Sequence, residues 1–212
     1  MIAASLNSAL GRAGLMLMLG ASVFGVLAVL YGVRKGDTKL LRQSPRYAWL
    51  ALAGIVLSVV MMQRALITRD FSMAYIQQVG SPDTPALYNV AAMWSALEGS
   101  ILLWSLVLGG FTAAIAWRFR SRTDDVLVAW ALIVMFVITA FFAMLSFGPA
   151  DPFAAGAPGI TSGPGPNPLL QNHILVLFHP PILYLGYVGF AVPFAFAIAA
   201  LITGRLGEGW LM

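Results

Sequence analysis

The sequence predicts an all-α integral membrane protein, a bundle of about five transmembrane helices with the N-terminus outside and the C-terminus inside. Of its 212 residues, 60% are hydrophobic and 9% are charged, whereas a soluble domain needs about 25% charged residues to cover its surface. Five apolar stretches can each cross a hydrocarbon layer of about 30 Å, which takes about 20 residues. They lie at residues 13–33, 47–67, 89–117, 126–147 and 180–203 of a single membrane domain, 1–212.

The spans are justified one by one along the chain. The first is predicted to be a retained helix and not a cleaved signal, because only Arg12 precedes its apolar run. The second, third and fourth are identified by their length and apolar composition. The fifth is expected to begin at Pro180 and Pro181, since proline fits the first turn of a helix. Pro193 is expected to kink it.

The basic residues predict the orientation of the bundle. Nine of the twelve lysines and arginines follow the first, third and fifth spans: Arg34, Lys35, Lys39, Arg42, Arg46, Arg118, Arg120, Arg122 and Arg205. Cytoplasmic loops carry such an excess of basic residues, so these three segments are predicted on the cytoplasmic side. The protein itself is predicted to lie in the plasma or inner membrane. The net charge of +4 is then an orientation signal within membrane lipid and no indication of nucleic-acid binding.

The loops on the predicted outer side are different in composition. Residues 69–88 are polar, and more than half of residues 148–168 are glycine or proline. Such a segment forms neither a helix nor a central strand. A flexible connector and a shaped outer loop both remain open.

Glu98 is the one acid that falls well inside a predicted span, about nine residues from its start, and Trp94 is expected one turn before it on the same face. Small residues at four-residue spacing flank the two and predict close helix packing. An intramembrane carboxyl is costly and usually functional. Glu98 either hydrogen-bonds a neighbouring helix or handles a ligand or proton, and Trp94 is a candidate for a cofactor surface.

Both histidines lie at the predicted outer entrance to the fifth span. Pro180 disfavours helical geometry at His179, so its ring is predicted just outside the helix. Tyr184 follows at an interfacial position. The imidazole of His179 either caps the helix or serves as an axial haem ligand. His173, six residues earlier, would not share its helical face and is a weaker candidate.

Two segments, the second made of two stretches, resemble the CcmF family of cytochrome c maturation proteins. Residues 94–104, W-S-A-L-E-G-S-I-L-L-W, resemble the family's W-x-A-x-E-G-S-L-L-L-W. Residues 167–171, N-P-L-L-Q, and 179–190, H-P-P-I-L-Y-L-G-Y-V-G-F, resemble its N-P-L-L-Q and H-P-P-L-L-Y-L-G-Y segments. The resemblance extends more loosely over the whole chain.

The resemblance implies a part in haem lyase activity. The family receives haem from a haem chaperone at the outer face and helps attach it to the C-x-x-C-H thiols of apocytochrome c, which thiol-handling proteins keep reactive. His179 then corresponds to one of two external haem ligands. Trp94, Glu98 and Tyr184 are secondary candidates for the haem site, and His173 is a weak candidate ligand of the iron.

The family's tryptophan-rich segment, its second external histidine and both histidines of its internal haem b have no counterpart here. The chain therefore resembles only the N-terminal part of a member, and a complete haem site is expected to need a C-terminal part that carries those groups. Catalysis by this chain alone is not expected. Two alternatives are a proton- or ion-translocating subunit that uses Glu98, and a non-catalytic scaffold for a partner's haem site.

Overall fold

The computed structural model describes residues 5–169, 171, 173–205 and 207, and the helices of this part of the chain account for the predicted bundle. They are α1 (Leu6–Lys35), α2 (Thr38–Leu41), α3 (Ser44–Ile67), α4 (Ala74–Val79), α5 (Ala86–Ala92), α6 (Leu97–Arg118), α7 (Val126–Leu145), α8 (Leu175–Gly189) and α9 (Ala191–Thr203). Five stretches are long and apolar enough to cross a membrane: α1, α2 with α3, α6, α7, and α8 with α9. The predicted all-α membrane fold is confirmed.

The third span is broken, and the prediction of one helix over 89–117 was wrong. The chain leaves the helix after Ala92 and re-enters it at Leu97. The Tyr75 hydroxyl of α4 donates to the carbonyl oxygens of Ala92 and Met93, at 2.9 and 2.7 Å. Because this side chain satisfies the carbonyls where α5 ends, the break needs no continuation of the helix.

The fifth span begins earlier than predicted, at Leu175, and both Pro180 and Pro181 lie inside α8. Their missing N–H groups leave the carbonyls of Val176 and Leu177 without a helical donor, and the helix nevertheless continues through both prolines. The span is interrupted at Phe190, between α8 and α9. Pro193 falls in the first turn of α9, where a proline nitrogen needs no partner.

Close backbone approach joins α1 to α3. A Cβ atom added to Gly14 would lie 2.5 Å from the Gly54 carbonyl oxygen. A Cβ atom added to Gly54 would lie 2.5 Å from the Gly14 carbonyl oxygen. Beside them, the Ser58 hydroxyl donates to the Gly11 carbonyl oxygen at 2.8 Å. Small residues let membrane helices pack by backbone contact. The small-residue seam predicted for the third span lies across the helix break, so the seam that the structure shows is this one.

The predicted inner segments meet at one end of the bundle. Arg205 pairs with Asp125 at 2.7 Å, and Arg42 lies 3.8 Å from Asp124. We name this the inner end and the opposite one, which carries residues 148–168, the outer end, after the predicted orientation. Which side of a membrane each end faces stays a prediction.

The segment 148–168 is a shaped loop and no free connector. The Phe153 side chain is completely buried and occupies the space beside Gly11 of α1 where a side chain would otherwise lie. The Gln77 side chain of α4 holds Ala157 by two hydrogen bonds, donating at 2.8 Å and accepting at 3.0 Å. Packing and polar contacts together thus settle the alternative that composition left open.

Candidate functional site

Trp94 lies in the turn between α5 and α6 and links that turn to the fifth span. Its indole N–H donates to the Val176 carbonyl oxygen of α8 at 2.8 Å. The Trp94 carbonyl oxygen accepts from the Ser100 hydroxyl at 3.1 Å. Since the turn separates Trp94 from α6, the predicted helical face shared by Trp94 and Glu98 does not exist.

Glu98 is the second residue of α6, so its predicted depth of nine residues was wrong. A carboxylate in the first turn is stabilised by the unpaired amide groups and dipole of the helix. Its Oε2 atom is buried and has no hydrogen-bond partner in the part of the chain that the structure describes. A role in ligand or proton handling stays a prediction. A proton relay usually needs several intramembrane ionisable groups, and Glu98 is the one acid in the five spans.

His179 is the fifth residue of α8 and is exposed, so the prediction that it lies outside the helix was wrong. The bias that Pro180 places on the preceding residue is overridden because the helix has already begun at Leu175. Large apolar side chains near His179 in the helix are also exposed. Phe178 exposes 59% of its area, and Ile182, three residues after His179, exposes 67%. The imidazole is therefore presented on an apolar, accessible surface.

His173 performs the capping role that was considered for His179. It lies before the first residue of α8, and its Nδ1 atom accepts a hydrogen bond from the Leu175 backbone N–H at 3.2 Å. This bond satisfies one of the amide groups that a helix start leaves unpaired. His173 is exposed and is separated from His179 by more than one helical turn.

Tyr184 faces the interior of the bundle. Its hydroxyl donates to the Ser100 hydroxyl oxygen at 3.3 Å, and its ring centroid lies 5.5 Å from that of Trp104. Five residues separate it from His179, which places the two about 140° apart around the helix. The structure therefore joins Tyr184 to Trp94 through Ser100 and directs it away from the His179 surface. The sequence marked Ser100 only as one of several small residues and gave no sign that it links Trp94 to Tyr184.

Two side chains outside the spans, Tyr75 and Asp70, have shifted pKa values and stabilise the outer end. Burial raises the pKa of Tyr75 far above its ordinary value, so its hydroxyl stays a donor to the end of α5. Burial also acts to raise the pKa of Asp70, but hydrogen bonds from Ser72, Asn7 and Ser5 outweigh it and lower the pKa below 3.8. Asp70 thus remains a charged acceptor that ties α1 to the segment after α3.

Donor chemistry limits what the site could bind. Among the residues with a described position, no group of three or more histidines and carboxylates could hold a metal ion. The His179 imidazole, exposed beside apolar side chains, suits one axial position of a haem iron, and the apolar side chains suit the porphyrin ring around the iron. The described residues therefore could supply one axial ligand to a haem iron and not both.

These features define a multi-pass membrane protein whose outer end presents the His179 imidazole beside exposed apolar side chains. The family model described as Cytochrome C assembly protein matches residues 94–208, more than half of the chain. The chain belongs to this family, and the match covers both segments on which the resemblance rested.

Individual relatives support the same family assignment. The chain is 38% identical over 198 residues to the cytochrome c-type biogenesis protein CcmF of Escherichia coli (strain K12), covering 93% of the chain and 30% of that protein. For the CcmF of Pseudomonas fluorescens, the identity is 38% over 202 residues, covering 95% and 30%. A solved structure of "Cytochrome c Heme Lyase CcmF" superposes with a TM-score of 0.84 at 31% identity, covering 99% of the chain and 33% of that structure. The chain spans about a third of the length of these proteins.

Proposed function

We propose that the chain acts in cytochrome c maturation as part of a haem lyase, and that His179 binds the substrate haem at the outer end of the bundle. The observation that carries the proposal is the exposed imidazole on an apolar surface of α8. The matched family and the relatives named for cytochrome c biogenesis support it. The inner or plasma membrane, with the outer end facing outside, is the proposed location.

The residues of this chain would bind and orient haem. The His179 imidazole would supply one axial ligand, and Phe178 and Ile182 would contact the porphyrin through apolar surface that is otherwise exposed. Haem contributes the vinyl groups that react with the two thiols of an apocytochrome C-x-x-C-H site. The chain itself supplies no thiol, since it has no cysteine.

Other polypeptides would complete the site. The relatives are about three times as long as this chain, and a C-terminal part with the tryptophan-rich segment is the proposed source of the second axial ligand. A haem chaperone would deliver haem, and thiol-handling proteins would supply reduced apocytochrome c. Trp94, Glu98 and Tyr184 are each partly buried, whereas His179 is exposed, so a direct haem contact is proposed for His179 alone.

The test is to co-express the chain with a C-terminal haem-lyase part and compare His179→Ala with the wild type. Haem bound to the purified complex, measured from its absorption spectrum, and the yield of mature cytochrome c are both expected to fall, because an axial ligand is lost. His173→Ala is the matched control, since it removes an exposed imidazole for which no haem contact is proposed, and it should lower both quantities much less than His179→Ala does. Equal values for His179→Ala and wild type would contradict the ligand role and favour a scaffold.

A further inference from the structure

We propose that Trp94 is a positioning residue: its indole N–H replaces the backbone N–H that Pro180 lacks, and so holds the segment of α8 that carries His179. The consequence for haem rests on the proposed function. The consequence for the helix does not, because it concerns a hydrogen bond between two elements of this chain.

The backbone of α8 has a gap that the sequence itself creates. In an α-helix the carbonyl of residue i accepts from the N–H of residue i+4. For Val176 that residue is Pro180, which has no N–H. A backbone carbonyl without a partner is costly in an apolar membrane environment, where no water replaces the lost bond.

Trp94 fills this gap. Its Nε1 atom lies 2.8 Å from the Val176 carbonyl oxygen, a normal hydrogen-bond distance. The indole N–H is a donor only, which suits a carbonyl that has lost its donor. The two residues are 82 positions apart in the chain, so the bond also fastens α8 to the turn between α5 and α6.

A second link anchors the same helix on the other side of His179. The Tyr184 hydroxyl donates to Ser100 at 3.3 Å, and Ser100 donates to the Trp94 carbonyl oxygen at 3.1 Å. Val176 lies three residues before His179 and Tyr184 lies five residues after it. The imidazole is therefore carried on a stretch of helix held at both ends by one turn, and Trp94 itself is partly buried.

Two other roles for Trp94 make different predictions. If its ring only fills space, phenylalanine should replace it with little effect. If the ring touches haem, its loss should matter whatever residue stands at position 180. If it serves the Val176 carbonyl, its loss should matter only while Pro180 withholds the backbone donor.

The experiment is a double-mutant cycle of Trp94→Phe and Pro180→Ala in the chain co-expressed with a C-terminal haem-lyase part. Alanine at position 180 restores an N–H for the Val176 carbonyl. Hydrogen–deuterium exchange of residues 175–189 is the structural readout, and bound haem is the functional one. Trp94→Phe is expected to speed exchange about fivefold, the effect of losing one hydrogen bond, and to change it less than about twofold when Pro180→Ala is present.

Trp104→Phe is the matched control, since that tryptophan also contacts the fifth span by its ring, 5.5 Å from the Tyr184 ring. It should leave exchange near the wild-type rate. Unchanged exchange in Trp94→Phe, or the same acceleration with and without Pro180→Ala, would overturn the proposal. Should Pro180→Ala fail to accumulate, the comparison of Trp94→Phe with Trp104→Phe decides alone.

The two proposals fail separately. A non-additive exchange cycle together with unchanged haem in His179→Ala would support the Trp94 bond and contradict the haem ligand. Reduced haem in His179→Ala together with unchanged exchange in Trp94→Phe would do the reverse. Where both hold, Trp94→Phe should lower bound haem less than His179→Ala does, because it displaces the ligand without removing it.

Discussion

Replacing Phe153 with alanine is expected to release the outer loop from α1. The side chain is completely buried, and its ring occupies the space beside Gly11. A buried phenylalanine removes about 150–250 Å² from water, which at about 25 cal/mol per Å² is worth about 4–6 kcal/mol. Truncations of this kind cost about 3–5 kcal/mol in folded proteins. Since about 1.4 kcal/mol is a factor of ten, the population of opened loop should rise at least about a hundredfold.

Amide hydrogen exchange measures that opening directly. The Ala74 N–H donates to the Ala154 carbonyl oxygen at 2.9 Å, and the Gly156 N–H donates to that of Ser72 at 2.8 Å. Both amides should exchange at least about a hundred times faster in Phe153→Ala, because both bonds break when the loop leaves. Ile160→Ala is the control, since Ile160 lies in the same loop and is 41% exposed. Equal exchange in the two variants would refute the packing argument and assign the loop's order to its polar contacts.

Two further perturbations test the outer end. Gly99→Ala should destabilise the protein by about 1–3 kcal/mol, because the added methyl group would press on the Met93 carbonyl, whereas Gly110→Ala in the same helix meets open space; thermal unfolding in detergent compares the two, and equal midpoints would contradict the contact. Acidification should weaken the contacts of Asp70, whose pKa is lower in the folded state than the ordinary 3.8. The stabilisation is present above pH 3.8 and is lost as the pH falls through the folded value. Asp70→Asn should therefore flatten the loss of thermal stability between pH 5 and pH 2, and an unchanged slope would contradict this.

The helical spans were the most predictable feature, because an apolar stretch in lipid must satisfy its own backbone and so becomes a helix. Their ends were less predictable. The helix that contains His179 begins five residues before the expected Pro180, and it continues through the two prolines that the sequence pattern treats as a boundary. The break after Ala92 carries no glycine or proline at residues 93–96 that would mark it.

The candidate site was predicted in its residues and not in its arrangement. His179 was predicted just outside the helix and lies inside α8, exposed, and its role as a haem ligand stays a prediction. Trp94, Glu98 and Tyr184 were grouped with it through shared motifs, but only Trp94 and Tyr184 are joined, through Ser100. Motif spacing along the chain does not show which side of a helix faces the bundle.

The amino-acid sequence by itself determined the membrane class, the five spans, the separation of basic and polar loops, and the family to which the chain belongs. Each follows from local composition or from motifs that are read along the chain. Only the tertiary structure decided the break capped by Tyr75, the burial of Phe153 against Gly11, and the bond from Trp94 to Val176. These contacts join residues 17 to 142 positions apart, and a local pattern contains no information about a partner at that distance.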